Sequence, residues 1–130
     1  MTAIDKLLEA AREAAKNAYV PYSHFQVGAA FLTASGEIVG GCNIENASFG
    51  LSNCAERTAI FKAVSDGISD FKALAIYGET EEPISPCGAC RQVIAEFCAP
   101  EMPVYLISKE MKVKETSVGE LLPYSFKELK

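Results

Sequence analysis

The sequence predicts an α/β fold in which one mixed sheet is covered on its faces by helices. Three observations carry that prediction. Helix-like and strand-like apolar patterns follow one another in the order α-β-β-α-β-α-β, before a weaker C-terminal end. The first two strand-like runs are separated by Ala34-Ser35-Gly36 alone, so they form an antiparallel hairpin. The later strands alternate with helices, the pattern of parallel connections.

Residues 2–18 predict an amphipathic helix, with Ile4, Leu7, Leu8, Ala11, Ala14, Ala15 and Ala18 on one face. Thr2 and Asp5 have the spacing of a capping box, and Pro21 stops the helix. Strands follow over Gln26–Thr33 and Glu37–Asn43. Small and polar residues make 44–53 a loop. Cys54–Asp66 is helical, with Ala59, Ile60, Ala63 and Val64 inward and Gly67 placed for a C-cap. Phe71–Gly78, with its Ala73-Leu74-Ala75-Ile76 run, is a buried strand. Two prolines mark Glu79–Pro86 as a loop. Cys87–Phe97 is helical, with Val93, Ile94 and Phe97 inward, and Pro103–Ser108 is a strand. Lys109–Val113 turns, with room to begin one more strand. Ser117–Leu122 forms a short helix capped by Ser117 and Glu120, and Pro123–Lys130 is a tail.

The 130 residues suffice for one domain over 1–130 with one hydrophobic core. A content of 49% hydrophobic and 22% charged residues excludes disorder, collagen and coiled coil. Lys and Arg number 12 against 17 Asp and Glu, a formal net charge of −5. That balance offers no basic surface for long nucleic acid and leaves a small, uncharged substrate allowed. The first residues lack a basic segment leading into an apolar run, and no stretch is apolar enough to span a membrane. The expectation is a cytoplasmic chain without a membrane partner. Five cysteines in a reducing compartment point to metal binding or thiol chemistry rather than disulfides.

The cysteine spacing is the sharpest signal. Cys54-Ala55-Glu56 opens one predicted helix, and Pro86-Cys87-Gly88-Ala89-Cys90 opens another. A Cys-x-x-Cys at a helix start lets two sulfurs converge on one metal, and a distant third thiolate leaves tetrahedral zinc an open position for water. Helix N-termini lower thiol pKa values and spread thiolate charge. Zinc with three thiolates carries a net charge near −1, which weakens it as a Lewis acid. Arg57 and Gln92, placed just after the two clusters, are candidate donors that offset that charge. Glu56 follows a ligand by two residues, so it reaches a water on the ion rather than the ion and is the candidate proton carrier. The pattern is the thiolate variant of the zinc deaminase signature.

The chain resembles the small, homotetrameric cytidine deaminases. Four separated stretches carry the resemblance: Pro21-Tyr22-Ser23-His24-Phe25-Gln26-Val27-Gly28-Ala29-Ala30, Gly41-Cys42-Asn43-Ile44-Glu45-Asn46-Ala47, Cys54-Ala55-Glu56-Arg57-Thr58-Ala59 and Pro86-Cys87-Gly88-Ala89-Cys90-Arg91-Gln92. The resemblance implies a three-layer α/β/α deaminase fold with a central mixed sheet of about five strands. It implies one zinc per chain on Cys54, Cys87 and Cys90, with Glu56 as proton shuttle. Asn43 and Glu45 would hold the ribose hydroxyls, and Phe25 would pack on the pyrimidine. The Ala55 N–H would meet the base carbonyl and the Ser85 carbonyl the exocyclic amine. Phe126 would reach a neighbouring subunit's site. The implied reaction converts cytidine and 2′-deoxycytidine to uridine and 2′-deoxyuridine with release of ammonia, in pyrimidine salvage. The chain departs from the family at Phe49, where members often carry tyrosine, and in its short ending Pro123-Tyr124-Ser125-Phe126.

Other readings of the same residues stand beside these. The three cysteines also suit a closed structural zinc site with His24 or Cys42 as fourth ligand, which leaves Glu56 without a role. Cys87 and Cys90 also have redox-pair spacing. Residues considered singly make Phe25 core, Asn43 and Glu45 turn residues, His24 structural, and Cys42 and Cys98 buried thiols. Arg91 suits either an ion pair or an interface.

Overall fold

The computed structural model describes residues 1–127. The tail expected over Pro123–Lys130 therefore ends, in its last three residues, outside the described ones. Helix α1 (Ala3–Ala15) leads into strands β1 (Val27–Thr33) and β2 (Ile38–Cys42), then helix α2 (Ala55–Ser65), strand β3 (Phe71–Gly78), helix α3 (Gly88–Phe97), strands β4 (Pro103–Ile107) and β5 (Val113–Ser117), and short helix α4 (Val118–Leu121). The strands form one five-stranded sheet in the order β2-β1-β3-β4-β5. β3 and β4 are parallel across α3, and the other neighbours are antiparallel. The predicted mixed sheet between helical layers is therefore the observed one.

Alternating side chains divide the core between the two faces of the sheet. Val27, Ala29 and Phe31 of β1 and Leu74 and Ile76 of β3 face α2 and α3, where they meet Ala59, Ile60 and Ile94. Ala30 of β1 and Ala73, Ala75 and Tyr77 of β3 face α1, where they meet Leu7, Ala11 and Ala15. On the α2 side the Phe31 and Phe71 rings lie 4.9 Å apart, centroid to centroid, at 52°.

Two glycines bring the helices down onto the sheet. A Cβ on Gly28 would lie 2.0 Å from the Ala11 carbonyl oxygen in α1, and one on Gly41 would lie 2.5 Å from the Ala59 nitrogen in α2. No side chain fits at either position. The Gly41 approach draws α2 close to the end of β2, and so draws Cys54 and Glu56 toward Asn43.

The capping box forms as predicted: Thr2 Oγ1 accepts from the Asp5 N–H at 3.0 Å, and Asp5 accepts from the Thr2 N–H at 3.2 Å. α1 ends at Ala15, short of Ala18. The N–H groups of Lys16, Asn17 and Ala18 each bond three residues back, tightening the end. Tyr19 can then bond Asn43 and Glu45 beside β2. The possible last strand is a full one, β5, paired antiparallel to β4 over Pro103–Ile107. The loop over 44–53 contains one 3-10 turn, Phe49–Leu51.

Candidate metal centre and active site

Both cysteine clusters sit where a helix begins. Cys54 is the N-cap of α2 and Cys87 the N-cap of α3. A sulfur stands in Cys87 for the usual oxygen cap: it accepts from the Cys90 N–H at 3.4 Å. The Cys54 and Cys87 sulfurs are 3.7 Å apart and those of Cys87 and Cys90 are 3.3 Å apart. All three lie within 4.8 Å of one another, and neither His24 nor Cys42 joins them. His24 is in a loop with φ 59°, and Cys42 opens onto a separate groove between α1 and α2.

The donor set fits zinc. Three thiol sulfurs from two helix starts converge, and a cavity of about 220 Å³ opens directly onto Cys54 and Cys87. Soft donors of this kind select zinc or clusters, and three of them beside a cavity leave a position for a small molecule. The electrostatics prepare the site for a cation. Hydrogen bonds from the Cys90 thiol and then from Arg57 hold Cys54 well below the ordinary thiol range. Cys90 is pushed up in turn by its bond to the Cys54 thiolate. Arg57 reaches Cys54 through Nη2 at 3.4 Å, while its buried Nε has no protein partner.

Glu56 is 3% exposed, on the first turn of α2. Burial pushes its carboxyl up to about 7, and the negative charge of Cys54 adds to the rise. A carboxyl poised near neutrality can accept a proton and return it.

The cavity gathers most of the predicted substrate residues, Phe25, Asn43, Ala55 and Ser85, together with the candidate proton carrier Glu56. Val27 and Ile84 complete the wall and had carried no signal in the sequence, since both read as ordinary apolar residues. Gly78 makes room for Ile84: a Cβ there would lie 2.7 Å from Ile84 Cδ1. Asn43 organises the wall. Its Oδ1 accepts from the Val27 N–H at 2.9 Å and its Nδ2 donates to the Phe25 carbonyl at 2.8 Å. One acceptor lone pair and one amide hydrogen remain for a ligand.

Other predicted residues stand outside that cavity. Glu45 is 8% exposed; it accepts from the N–H groups of Tyr22 and Ser23, both at 3.1 Å, and from the Ser23 hydroxyl. The Ser23 hydroxyl is the main reason its carboxyl lies below the usual range. Gln92, expected to donate to the thiolates, gives its amide to the Phe126 carbonyl at 2.7 Å. The Phe126 ring is 64% exposed and turned to solvent. Phe49 is exposed as well. Arg91 makes no ion pair among the described residues; its guanidinium binds Ser85, Pro86 and Leu121.

Residues 1–106 match the cytidine and deoxycytidylate deaminase zinc-binding region. A cytidine deaminase of Sporosarcina psychrophila is 58% identical over 123 residues, 95% of this chain and 90% of that protein. One from Halalkalibacterium halodurans is 53% identical over 120 residues, 92% of this chain and 91% of that protein. The crystal structure of cytidine deaminase from Burkholderia pseudomallei superposes with a TM-score of 0.92 at 52% identity, covering 97% of this chain and 100% of the other.

Proposed function

The chain belongs to the cytidine and deoxycytidylate deaminase family, and on that premise we propose that it catalyses the hydrolytic deamination of cytidine and 2′-deoxycytidine, releasing ammonia. The observation that carries this reading is the meeting of three cysteine sulfurs and a buried, near-neutral carboxyl at one cavity.

Cys54, Cys87 and Cys90 would hold one zinc per chain. Zinc bound there supplies Lewis acidity, making a water molecule acidic near neutral pH. Glu56 would accept a proton from the attacking water and deliver it to N3 of the pyrimidine, then take the second proton from the hydroxyl now on C4 and pass it to the departing amine, leaving the C4 carbonyl. The products are uridine, or its deoxy form, and ammonia. Arg57 offsets the thiolate charge at Cys54. Phe25, Val27 and Ile84 give the cavity an apolar wall suited to a flat base. The Ala55 N–H, at the start of α2, meets the base carbonyl, and the Ser85 carbonyl meets the exocyclic amine. Asn43 offers its free lone pair and amide hydrogen to ribose. Glu45 shapes the Tyr22–Ser23 loop beside the cavity, and the Oε2 that accepts from the Ser23 hydroxyl keeps a further lone pair for a ribose hydroxyl. A carboxylate and an amide favour neutral hydroxyls over phosphate, so nucleosides are preferred to nucleotides.

The same reading makes the protein a cytoplasmic homotetramer in pyrimidine salvage. Reduced thiols at the centre suit a reducing compartment. The exposed Tyr22, Phe49, Leu51 and Phe126 supply apolar surface for neighbouring subunits, with Phe126 reaching a neighbour's cavity.

Ultraviolet absorbance with ammonia release, measured on cytidine, 2′-deoxycytidine and cytidine monophosphate, tests the reading. Turnover of both nucleosides with little of the nucleotide is expected. Turnover of the nucleotide alone would overturn it.

A further inference from the structure

Residues 79–87 cross from the end of β3 to the start of α3 and form one wall of the cavity through Ile84, Ser85 and Cys87. Their first turn is fastened. The Thr80 N–H bonds the Gly78 carbonyl at 2.8 Å, and the Lys109 N–H bonds the Thr80 carbonyl at 2.9 Å. Glu82 is held as well, its carbonyl accepting from the Thr80 hydroxyl at 2.6 Å and its carboxylate from Lys112 Nζ at 2.9 Å, and past it the fastening thins. Among the described residues, no backbone–backbone hydrogen bond is made by any residue from 81 to 86. A segment with so few bonds would wander by more than a catalytic geometry tolerates unless something else held it.

Arg91 holds the end of it that borders the cavity, Ser85 and Pro86. From the first turns of α3 its guanidinium turns back along the chain. Nε donates to the Pro86 carbonyl at 2.8 Å and Nη2 to the Ser85 hydroxyl at 3.1 Å. Nη1 donates to the Leu121 carbonyl at the end of α4, at 2.8 Å. One planar fork thus spans three acceptors on two segments, a task that suits guanidinium geometry and not an ammonium point charge. The acceptors are all uncharged, so the interaction does not depend on a carboxylate partner.

We propose that Arg91 is a positioning residue for the deamination: it fixes the Ser85–Pro86 strap, and so the Ser85 side of the base cavity, by tying it to the end of α4. This rests on the deaminase reading of the cavity. Arg91 belongs neither to the sulfur cluster nor to the cavity lining and meets the lining only through Ser85, so its effect passes through the strap.

Arg91→Met keeps the aliphatic stem and removes all three bonds. Arg91→Lys keeps the charge and can satisfy only part of the set. Wild type, both variants and Ser85→Ala are compared for cytidine kcat and KM, with zinc per chain and folded fraction measured on the same samples. Arg91→Met is expected to lower kcat/KM by about 10- to 100-fold, with a raised KM, at unchanged zinc per folded chain. Arg91→Lys should fall between it and wild type. Ser85→Ala loses one of the three acceptors and keeps its carbonyl, so it should lower kcat/KM in the same direction as Arg91→Met and by less. Normal kcat/KM in Arg91→Met overturns the proposal. So does a loss of kcat that merely follows the folded or zinc-bearing fraction at unchanged KM, because that is the signature of a purely structural residue. If wild type with full zinc does not turn over cytidine, the deaminase reading itself has failed, independently of Arg91.

Discussion

The Arg57 guanidinium donates to the Cys54 sulfur at 3.4 Å, from one turn further along the same helix. In sequence the two residues flank Glu56, so the proposed proton carrier stands between a candidate metal ligand and the cation bonded to it. In the proposed reaction the same short segment, Cys54-Ala55-Glu56-Arg57, would both set the charge of the centre and move its proton.

Replacing Arg57 by Gln leaves thiolate charge on Cys54 without its counter-cation. The variant should fold, and kcat or zinc affinity should fall by about 10- to 100-fold. Steady-state kinetics together with a zinc competition titration would reveal it; unchanged values for both would dismiss the role given to Arg57.

Asn43→Ala removes the bonds to Val27 and Phe25 and leaves a part-buried N–H and C=O without partners. Stability should drop by about 1–3 kcal/mol. KM for cytidine should rise as well, because the Phe25 wall loosens and the ribose contact is lost. Urea denaturation and kinetics on one sample check both effects.

Gly41→Ala places a methyl group 2.5 Å from the Ala59 backbone nitrogen, where no flexible side chain can yield. α2 must lift, at a cost of about 1–3 kcal/mol. Since α2 carries Cys54 and Glu56, activity should decline along with the denaturation midpoint. A midpoint equal to that of wild type would refute the close packing.

Cys98 is 4% exposed, and burial pushes its thiol from 9.0 up to about 12. Its folded pKa is raised, so this contribution to stability is complete below pH 9.0 and is lost as pH rises toward about 12. Over that window the unfolded chain releases the proton first, and stability falls by about 1.4 kcal/mol per pH unit from this group. Cys98→Ala should lose that slope. Urea denaturation of both proteins at pH 8, 9 and 10 would expose the difference, and parallel curves would rule it out.

Much of the fold was legible because local chemistry and packing agree. Thr2 and Asp5 mark the start of α1, the Ala34-Ser35-Gly36 turn marks the hairpin, and the apolar run in β3 marks a buried strand. β5 was only half visible because Val113-Lys114-Glu115-Thr116-Ser117 is a polar edge strand, largely exposed, with one apolar residue at its start. The sulfur cluster was legible from spacing alone. Ile84 was not, because its place in the cavity depends on Gly78 having no side chain, a relation between residues on different elements. Arg91 and Gln92 close a recognisable motif, but Leu121, one of the three acceptors of Arg91, and Phe126, the acceptor of Gln92, come from the far end of the chain, so no local pattern pairs them.

The proposed reaction depends on Glu56 carrying the proton at a three-thiolate zinc centre. Cytidine turnover by wild type and by Glu56→Gln, at measured zinc content, tests it most directly. Wild-type turnover should track zinc up to about one per chain. Glu56→Gln should bind the same zinc, fold normally and lose about 100- to 10,000-fold in kcat. Normal turnover by Glu56→Gln with zinc bound would exclude Glu56 as the proton carrier.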